Sequence, residues 1–199
     1  MLNLSKYVYR IVSENDCSRL SERGKKLSMI LKDEIHIRLM TNNDFDVMVK
    51  WLNDPRVLEF YEEPPTNLER VINKFGPRIE GKHNVTPCIV EYKNEPIGYI
   101  QYYKIQENNL KKYGYTEDQN IFGIDQFIGE PKLWGKGIGT LMIQMMLHYL
   151  SQNKGASKIV LEVKKTNDRA LASYKKCNFK QIKELNNDLN LMEWIKDTD

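Results

Sequence analysis

The feature that most limits what this chain can fold into is one run at residues 121–151, IFGIDQFIGEPKLWGKGIGTLMIQMMLHYLS. It reads as a strand, a glycine-rich turn and a helix in immediate succession. Residues 121–129, rich in Ile and Phe, predict the strand. Gly135, Gly137 and Gly139 alternate through the turn, and Met142, Met145, Met146, Tyr149 and Leu150 then recur at helical spacing. Alternating glycines let a backbone curl with its N–H groups facing inward, and the first N–H groups of a helix have no partner within it. Together they make a socket for phosphate oxygens. Two nucleotide motifs do not fit. No Gly-Lys-Ser/Thr stands at the spacing of a P-loop, and glycines at 135, 137 and 139 do not match Gly-x-Gly-x-x-Gly.

The rest of the chain is of ordinary globular composition. At 199 residues, 41% hydrophobic and 29% charged, it has the length of one domain with an appendage. No apolar run reaches the length of a membrane span, and the N-terminus lacks the pattern of a signal peptide. Cys17, Cys88 and Cys177 are far apart and odd in number, which fits a reduced cytoplasmic protein. His36, His83 and His148 show no metal-ligand spacing, so no metal is expected. A net charge of +3, spread along the chain without a basic stripe and interleaved aromatics, argues against a nucleic-acid partner.

In chain order, residues 1–33 read as an N-terminal extension. Tyr7, Tyr9, Ile11 and Val12 suit a short strand or a helix, and residues 13–31 suit a polar helix. The extension is a loosely docked appendage or a dimer contact, so monomer and homodimer both stand. The compact domain is expected at 34–199. Residues 35–39 alternate like a strand. Thr41 caps a helix carrying Phe45, Met48, Trp51 and Leu52 inward, which Asn53-Asp54-Pro55 ends; 57–65 is irregular. Thr66 and Glu69 form a capping box for a second helix, interrupted at Gly76-Pro77. A hairpin follows, with strands at 87–92 and 97–103 around Lys93-Asn94-Glu95-Pro96, then a polar loop at 110–119. After the central run come a strand at 157–163, a helix at 169–177 capped by Asn167 or Asp168, and strands at 179–184 and 189–195. The order is β-α-α-β-β-β-α-β-α-β-β, a mixed α/β sheet with helices on both faces.

That order, and two motifs within it, resemble the GNAT superfamily of N-acetyltransferases. The turn is similar to the family's acetyl-CoA loop, Arg/Gln-x-x-Gly-x-Gly/Ala, with Gly137-Ile138-Gly139 supplying the glycines and Trp134 standing in place of the Arg or Gln. The string Asn167-Asp168-Arg169-Ala170-Leu171-Ala172-Ser173-Tyr174, closing at Asn178-Phe179, is similar to the family's Asn-x-x-Ala-x-x-x-Tyr-x-x-x-Gly-Phe. Asn178 replaces the Gly and is the next best residue for a left-handed helix terminus. Within the superfamily, residues 34–195 look most like the aminoglycoside 6'-N-acetyltransferases. The carriers are Arg38-Leu39, Trp51-Leu52, VLEFY at 57–61, EPIGY at 95–99 with Gln101, and above all GIDQFIGEP at 123–131. One departure is Leu161-Glu162-Val163, where those enzymes have Asp-Pro.

The resemblance implies acetyl transfer from acetyl-CoA to a primary amine, that of an aminoglycoside. The alternatives are the amine of a protein N-terminus, of a streptothricin-like compound or of a siderophore precursor. It implies that Trp134, Gly135, Lys136, Gly137, Ile138, Gly139 and Thr140 hold the pyrophosphate. The edge of Gln126, Phe127 and Ile128 would meet pantetheine and the thioester oxygen. Asn167, with Ala170 beside it, would reach the pantetheine arm, and Tyr174 would give its proton to the leaving sulfur. Asp125, a carboxylate mid-strand among Ile and Phe, would meet the substrate ammonium, as a base or as an anchor. Glu59, Glu62, Glu63, Asp118 and Glu162 are candidates for further ammonium groups, with Trp51, Phe60 or Tyr61 as a wall.

Overall fold

The computed structural model describes residues 10–11, 28–32, 34–61 and 64–196. Nine strands join in one sheet: β1 (Arg10–Ile11), β2 (Ser28–Lys32), β3 (Ile35–Leu39), β4 (Val85–Tyr92), β5 (Glu95–Lys104), β6 (Ile121–Ile128), β7 (Lys158–Lys164), β8 (Lys180–Glu184) and β9 (Leu189–Ile195). Their order across the sheet is β1-β2-β3-β4-β5-β6-β7-β9-β8. Each described pair is antiparallel except β6 and β7, which are parallel. Between the strands lie α1 (Phe45–Trp51), α2 (Pro55–Leu58), α3 (Leu68–Ile79), α4 (Glu107–Tyr113), α5 (Ile138–Asn153) and α6 (Asp168–Lys176).

Strand alternation feeds two cores, one on each face of the sheet. Cys88 and Val90 of β4 and Ile100 and Tyr102 of β5 pack with Met142, Met145 and Met146 of α5. The intervening Ile89 and Tyr99 point the other way and pack with Trp51 of α1 and Val71 and Phe75 of α3. A sheet buried on both faces needs helices on both, and the expected arrangement is the one found.

Several boundaries differ from those read in the sequence. The expected helix at 13–31 lies outside the described residues as far as 27, and 28–32 is a strand that hydrogen-bonds along β3. It pairs backbone groups that β3 would otherwise leave as an open edge. Asp54-Pro55 ends α1 but also begins α2: the Asp54 side chain accepts from the Arg56 N–H, and Pro55 takes the first helical position, where its missing N–H costs nothing. Asn67, not Thr66, caps α3 through the Arg70 N–H. Pro77 does not interrupt α3, which runs on to Ile79. The hairpin turn is only Lys93-Asn94, both left-handed with φ of 54° and 66°, and Glu95 already belongs to β5. The loop expected at 110–119 begins with the end of α4. Leu110 anchors that helix in a third apolar cluster with Ile105, Ile121, Val160 and Leu191, and Gly114 closes it at φ 88°.

Candidate active site

The site exists because β6 and β7 pair only briefly. Their parallel register runs from Ile121 opposite Lys158 to Gly123 opposite Val160. Beyond that point β6 stays with β5 as far as Ile128, and β7 stays with β9 as far as Lys164. The parted strands open a cleft of about 540 Å³. Asp125 and Glu162 each lie two residues past the last pair, one on either side of the opening, and both line it.

Asp125 sits opposite Gln101 on β5, whose Nε2 donates to its Oδ2 at 2.6 Å. Tyr103 donates to the same carboxylate. It can do so because Gly123 lies directly across from it: a Cβ there would stand 2.5 Å from the Tyr103 ring. Burial lifts the Asp125 pKa above the ordinary carboxylate value. The bonds from Gln101 and Tyr103 pull it down, and the nearby Glu162 charge pushes it further up. Among the described residues no Lys or Arg forms an ion pair with Asp125. Glu162, by contrast, accepts from Tyr113 Oη at 2.7 Å and from Lys112 Nζ at 3.0 Å, so α4 holds it from behind. Gln101 Oε1 accepts from Tyr99 Oη at 2.6 Å and from Arg78 Nη1 at 2.8 Å.

On the other side of β6, Tyr174 of α6 is 7% exposed and its phenol is pushed well above its usual range by burial. Its oxygen accepts from Gln126 Nε2 at 2.7 Å. With that lone pair engaged, the phenolic proton is turned away from Gln126. The glycine turn runs from the end of β6 to the first turn of α5. Gly135 and Gly137 take φ of 75° and 81°, values that favour glycine, and Gly137 is the N-cap of α5. No side chain caps this end of α5, so its first N–H groups face the cleft unclaimed by side chains. Trp134 Nε1 donates to the Ile128 carbonyl at 2.9 Å, tying the turn to the strand. The guanidinium of Arg169 lies 3.8 Å from the centre of the indole and also lines the cleft.

Residues 40–187 match the acetyltransferase (GNAT) domain family. The chain belongs to the GNAT acetyltransferase family. Among relatives of this GNAT acetyltransferase are the aminoglycoside N(6')-acetyltransferases type 1 of Klebsiella pneumoniae and Serratia marcescens. Each is 30% identical over 151 residues, which span 75% of this chain and 75% of the relative. Its fold superposes on a crystal structure of the aminoglycoside acetyltransferase AAC(6')-Ib in complex with coenzyme A, with a TM-score of 0.69 and 26% identity, covering 81% of this chain and 95% of the other. A structure of the same enzyme with coenzyme A and kanamycin gives a TM-score of 0.68 at 26% identity, again over 81% and 95%.

In this GNAT acetyltransferase, the residues that the sequence singles out divide into two groups. Asp125, Gln126, Phe127, Ile128, Trp134, Gly135, Gly137, Gly139, Thr140, Glu162, Asn167, Ala170, Tyr174, Phe60 and Tyr61 all line the one cleft. Asn167 Oδ1 is engaged in capping α6, accepting the Ala170 N–H at 3.1 Å. Trp51 is not a substrate wall. It is fully enclosed, outside the cleft lining, edge-on to Phe127, and donates Nε1 to Glu130 at 3.1 Å. Of the three aromatics, Phe60 and Tyr61 are the ones that line the cleft, Tyr61 edge-on to Phe127 at 4.8 Å. Glu59 is exposed and outside the lining, and only its carbonyl reaches the cleft's rim, accepting from Lys164 Nζ at 3.0 Å. Lys136 is exposed on the turn, Ile138 is buried beneath it, and Asp118 is exposed away from the cleft. Glu62 and Glu63 lie outside the described residues. Arg78, Gln101, Tyr103, Tyr113 and Arg169 escaped the sequence reading as site residues. For Gln101 and Tyr103 the available signal was register, since each faces a residue of the GID string across β5 and β6.

Proposed function

We propose that this acetyltransferase transfers the acetyl group of acetyl-CoA to the 6'-amine of an aminoglycoside. The observation that carries the reading is Asp125. It is a carboxylate held by neutral donors, in a cleft, with its pKa raised and no Lys or Arg among the described residues in an ion pair with it. An arriving ammonium completes that arrangement, and the two relatives at 30% identity are aminoglycoside N(6')-acetyltransferases.

The residues present suit acetyl-CoA, which supplies the acetyl group as an activated thioester. The left-handed glycines and the free N–H groups at the start of α5 suit its pyrophosphate. Arg169, stacked on Trp134, brings to the same wall the positive charge that Trp134 itself does not supply. Asp125 receives and orients the substrate amine. A free Asp has a pKa of about 3.9 and an alkyl ammonium one of about 10.4, so an ordinary Asp is a weak base for it. The buried environment narrows that gap. Tyr174 directs its proton, set by Gln126, towards the departing sulfur. Glu162, fixed by Tyr113 and Lys112, places a second carboxylate at the substrate end. Such an enzyme works in the cytoplasm, where it would confer aminoglycoside resistance, and Cys88 and Cys177, buried and outside any disulfide, agree with a reducing compartment.

The test is thiol release from acetyl-CoA with kanamycin, tobramycin, a peptide and streptothricin. Kanamycin and tobramycin should be turned over. Acetylation of the peptide or streptothricin, with neither aminoglycoside used, would overturn the substrate assignment.

A further inference from the structure

We propose that Arg78 reads the hydroxyl groups of the sugar ring that carries the reacting amine, a role that rests on the aminoglycoside reading above. Arg78 enters the cleft from α3 and lies over the Phe75 ring at 5.4 Å. Its Nη1 donates to Gln101 Oε1 at 2.8 Å, and the other end of the same Gln101 amide donates to Asp125 at 2.6 Å. One side-chain amide therefore separates the guanidinium from the carboxylate that receives the amine. Its charge is close enough to act on Asp125, pulling that pKa down.

The guanidinium is only partly used. Nε is enclosed and has no hydrogen-bond partner among the described residues. An enclosed donor left unpaired costs stability, and such a group in a native cleft wall calls for an explanation. Gln101 cannot provide the missing acceptor. Its Oε1 already takes Arg78 Nη1 and Tyr99 Oη, and its Nε2 is committed to Asp125. Nε itself is closed to an incoming atom, so the donor left for a bound molecule is Nη2, and the acceptor that suits it is an oxygen close to the amine that Asp125 holds. In a 6'-amino sugar the nearest hydroxyl is on the ring carbon next to the one bearing the aminomethyl group. A second ammonium is excluded at this point, because it would be a donor facing a donor and a cation facing a cation. The substrate end of the cleft is thus divided: Asp125 takes the amine, and Arg78 takes a hydroxyl oxygen of the same ring.

The probes are kanamycin B and its 3',4'-dideoxy form, dibekacin, which keeps the 6'-amine and lacks the two ring hydroxyls. The wild-type enzyme should prefer kanamycin B in kcat/KM by about tenfold or more, the scale of one hydrogen bond to a charged group. In Arg78→Met that ratio should collapse towards one through the loss of kanamycin B turnover alone. Arg78→Lys, which keeps the charge but loses the fork, should recover only part of it. Two outcomes overturn the role of Arg78 while leaving the aminoglycoside reading intact: a wild-type ratio near one, or a ratio that survives in Arg78→Met. Failure of the wild-type enzyme to use kanamycin B at all would overturn both. The wild-type ratio needs no variant, so a poorly folding Arg78→Met does not remove the test.

Discussion

Asp44 and Asp125 are both carboxylates enclosed by this fold, and their surroundings are opposite. Asp44 is 4% exposed at the start of α1, and Arg38 grips it twice, at 2.6 and 2.8 Å. The Thr41 N–H adds a third bond at 2.8 Å, and Arg38 also donates to the buried Glu91 at 2.9 Å. Burial alone would raise the Asp44 pKa, but the Arg38 and Thr41 bonds outweigh it and leave the group below the usual value. Asp125 has a Gln and a Tyr instead of an Arg, and burial wins. One carboxylate has its cation within the fold; the other, on the function proposed above, receives it from the substrate. Both cost desolvation on folding, but among the described residues only Asp44 has an ion pair to offset that cost.

The comparison breaks most visibly at Asp44. Asp44→Asn leaves Arg38 with one carboxylate where it had two, in a site closed to water. Removing one partner of a buried pair costs about 3–5 kcal/mol. Urea denaturation should register that loss, while the fraction that remains folded keeps its acetylation rate. A variant of normal stability and low activity would place Asp44 with the chemistry and end the contrast.

Asp125→Asn should do the reverse. It keeps size and most hydrogen bonding but removes the charge that meets the ammonium. A loss of about two to three orders of magnitude in kcat/KM with kanamycin is expected if the interaction is expressed in the transition state. Thermal stability should hold or rise, since an uncompensated buried charge is gone. Lost stability with normal specific activity would make Asp125 a second Asp44. A smaller effect belongs to Tyr174→Phe, which removes the proton that Gln126 orients. Turnover should fall about a hundredfold with KM little changed. Wild-type turnover would make Tyr174 a core aromatic packed on Phe179.

How much of this contrast was legible in the sequence depends on the distance over which each partner is set. The glycine turn, the Asn167 cap and left-handed Asn178 are local, and each lies where its residue type predicts. The start of α2 was also local, but Asp-Pro was read as a stop when it serves equally as a start. Polarity hid α4, although Glu107 in its first turn, Lys111 and Lys112 in its last and Gly114 beyond were its marks. Trp51 shows the opposite error: helical periodicity already put it on the inner face of α1, and an inner face is core before it is binding site. The partners of Asp125 depend on the pairing of β5 with β6, and Arg78 on how α3 crosses the sheet. Neither can be read from a window of neighbours. Whether a buried carboxylate is satisfied is therefore a question of tertiary structure, even where its position is not.

The smallest expected effect is also the one that sets the two carboxylates against each other in a single experiment, the pH dependence of stability. Asp44 has a folded pKa below its unfolded value of about 3.9. Its contribution to stability is present above that pH and is lost as acid carries the solution down through the folded pKa. Asp125 has a folded pKa above its unfolded value. Between those two values the folded protein binds more protons than the unfolded chain, so stability falls as pH rises through that window and then levels off. The stability gained by Asp125→Asn should accordingly be absent in strong acid, appear as pH rises past the unfolded value of about 3.9 and be complete above the folded pKa of Asp125. The penalty of Asp44→Asn should instead shrink as pH drops below about 3.9. Denaturation of the three proteins across the acidic range measures both. Difference curves of the same sign would mean that Asp125 is compensated within the fold as Asp44 is, and that the cleft holds no carboxylate waiting for a cation.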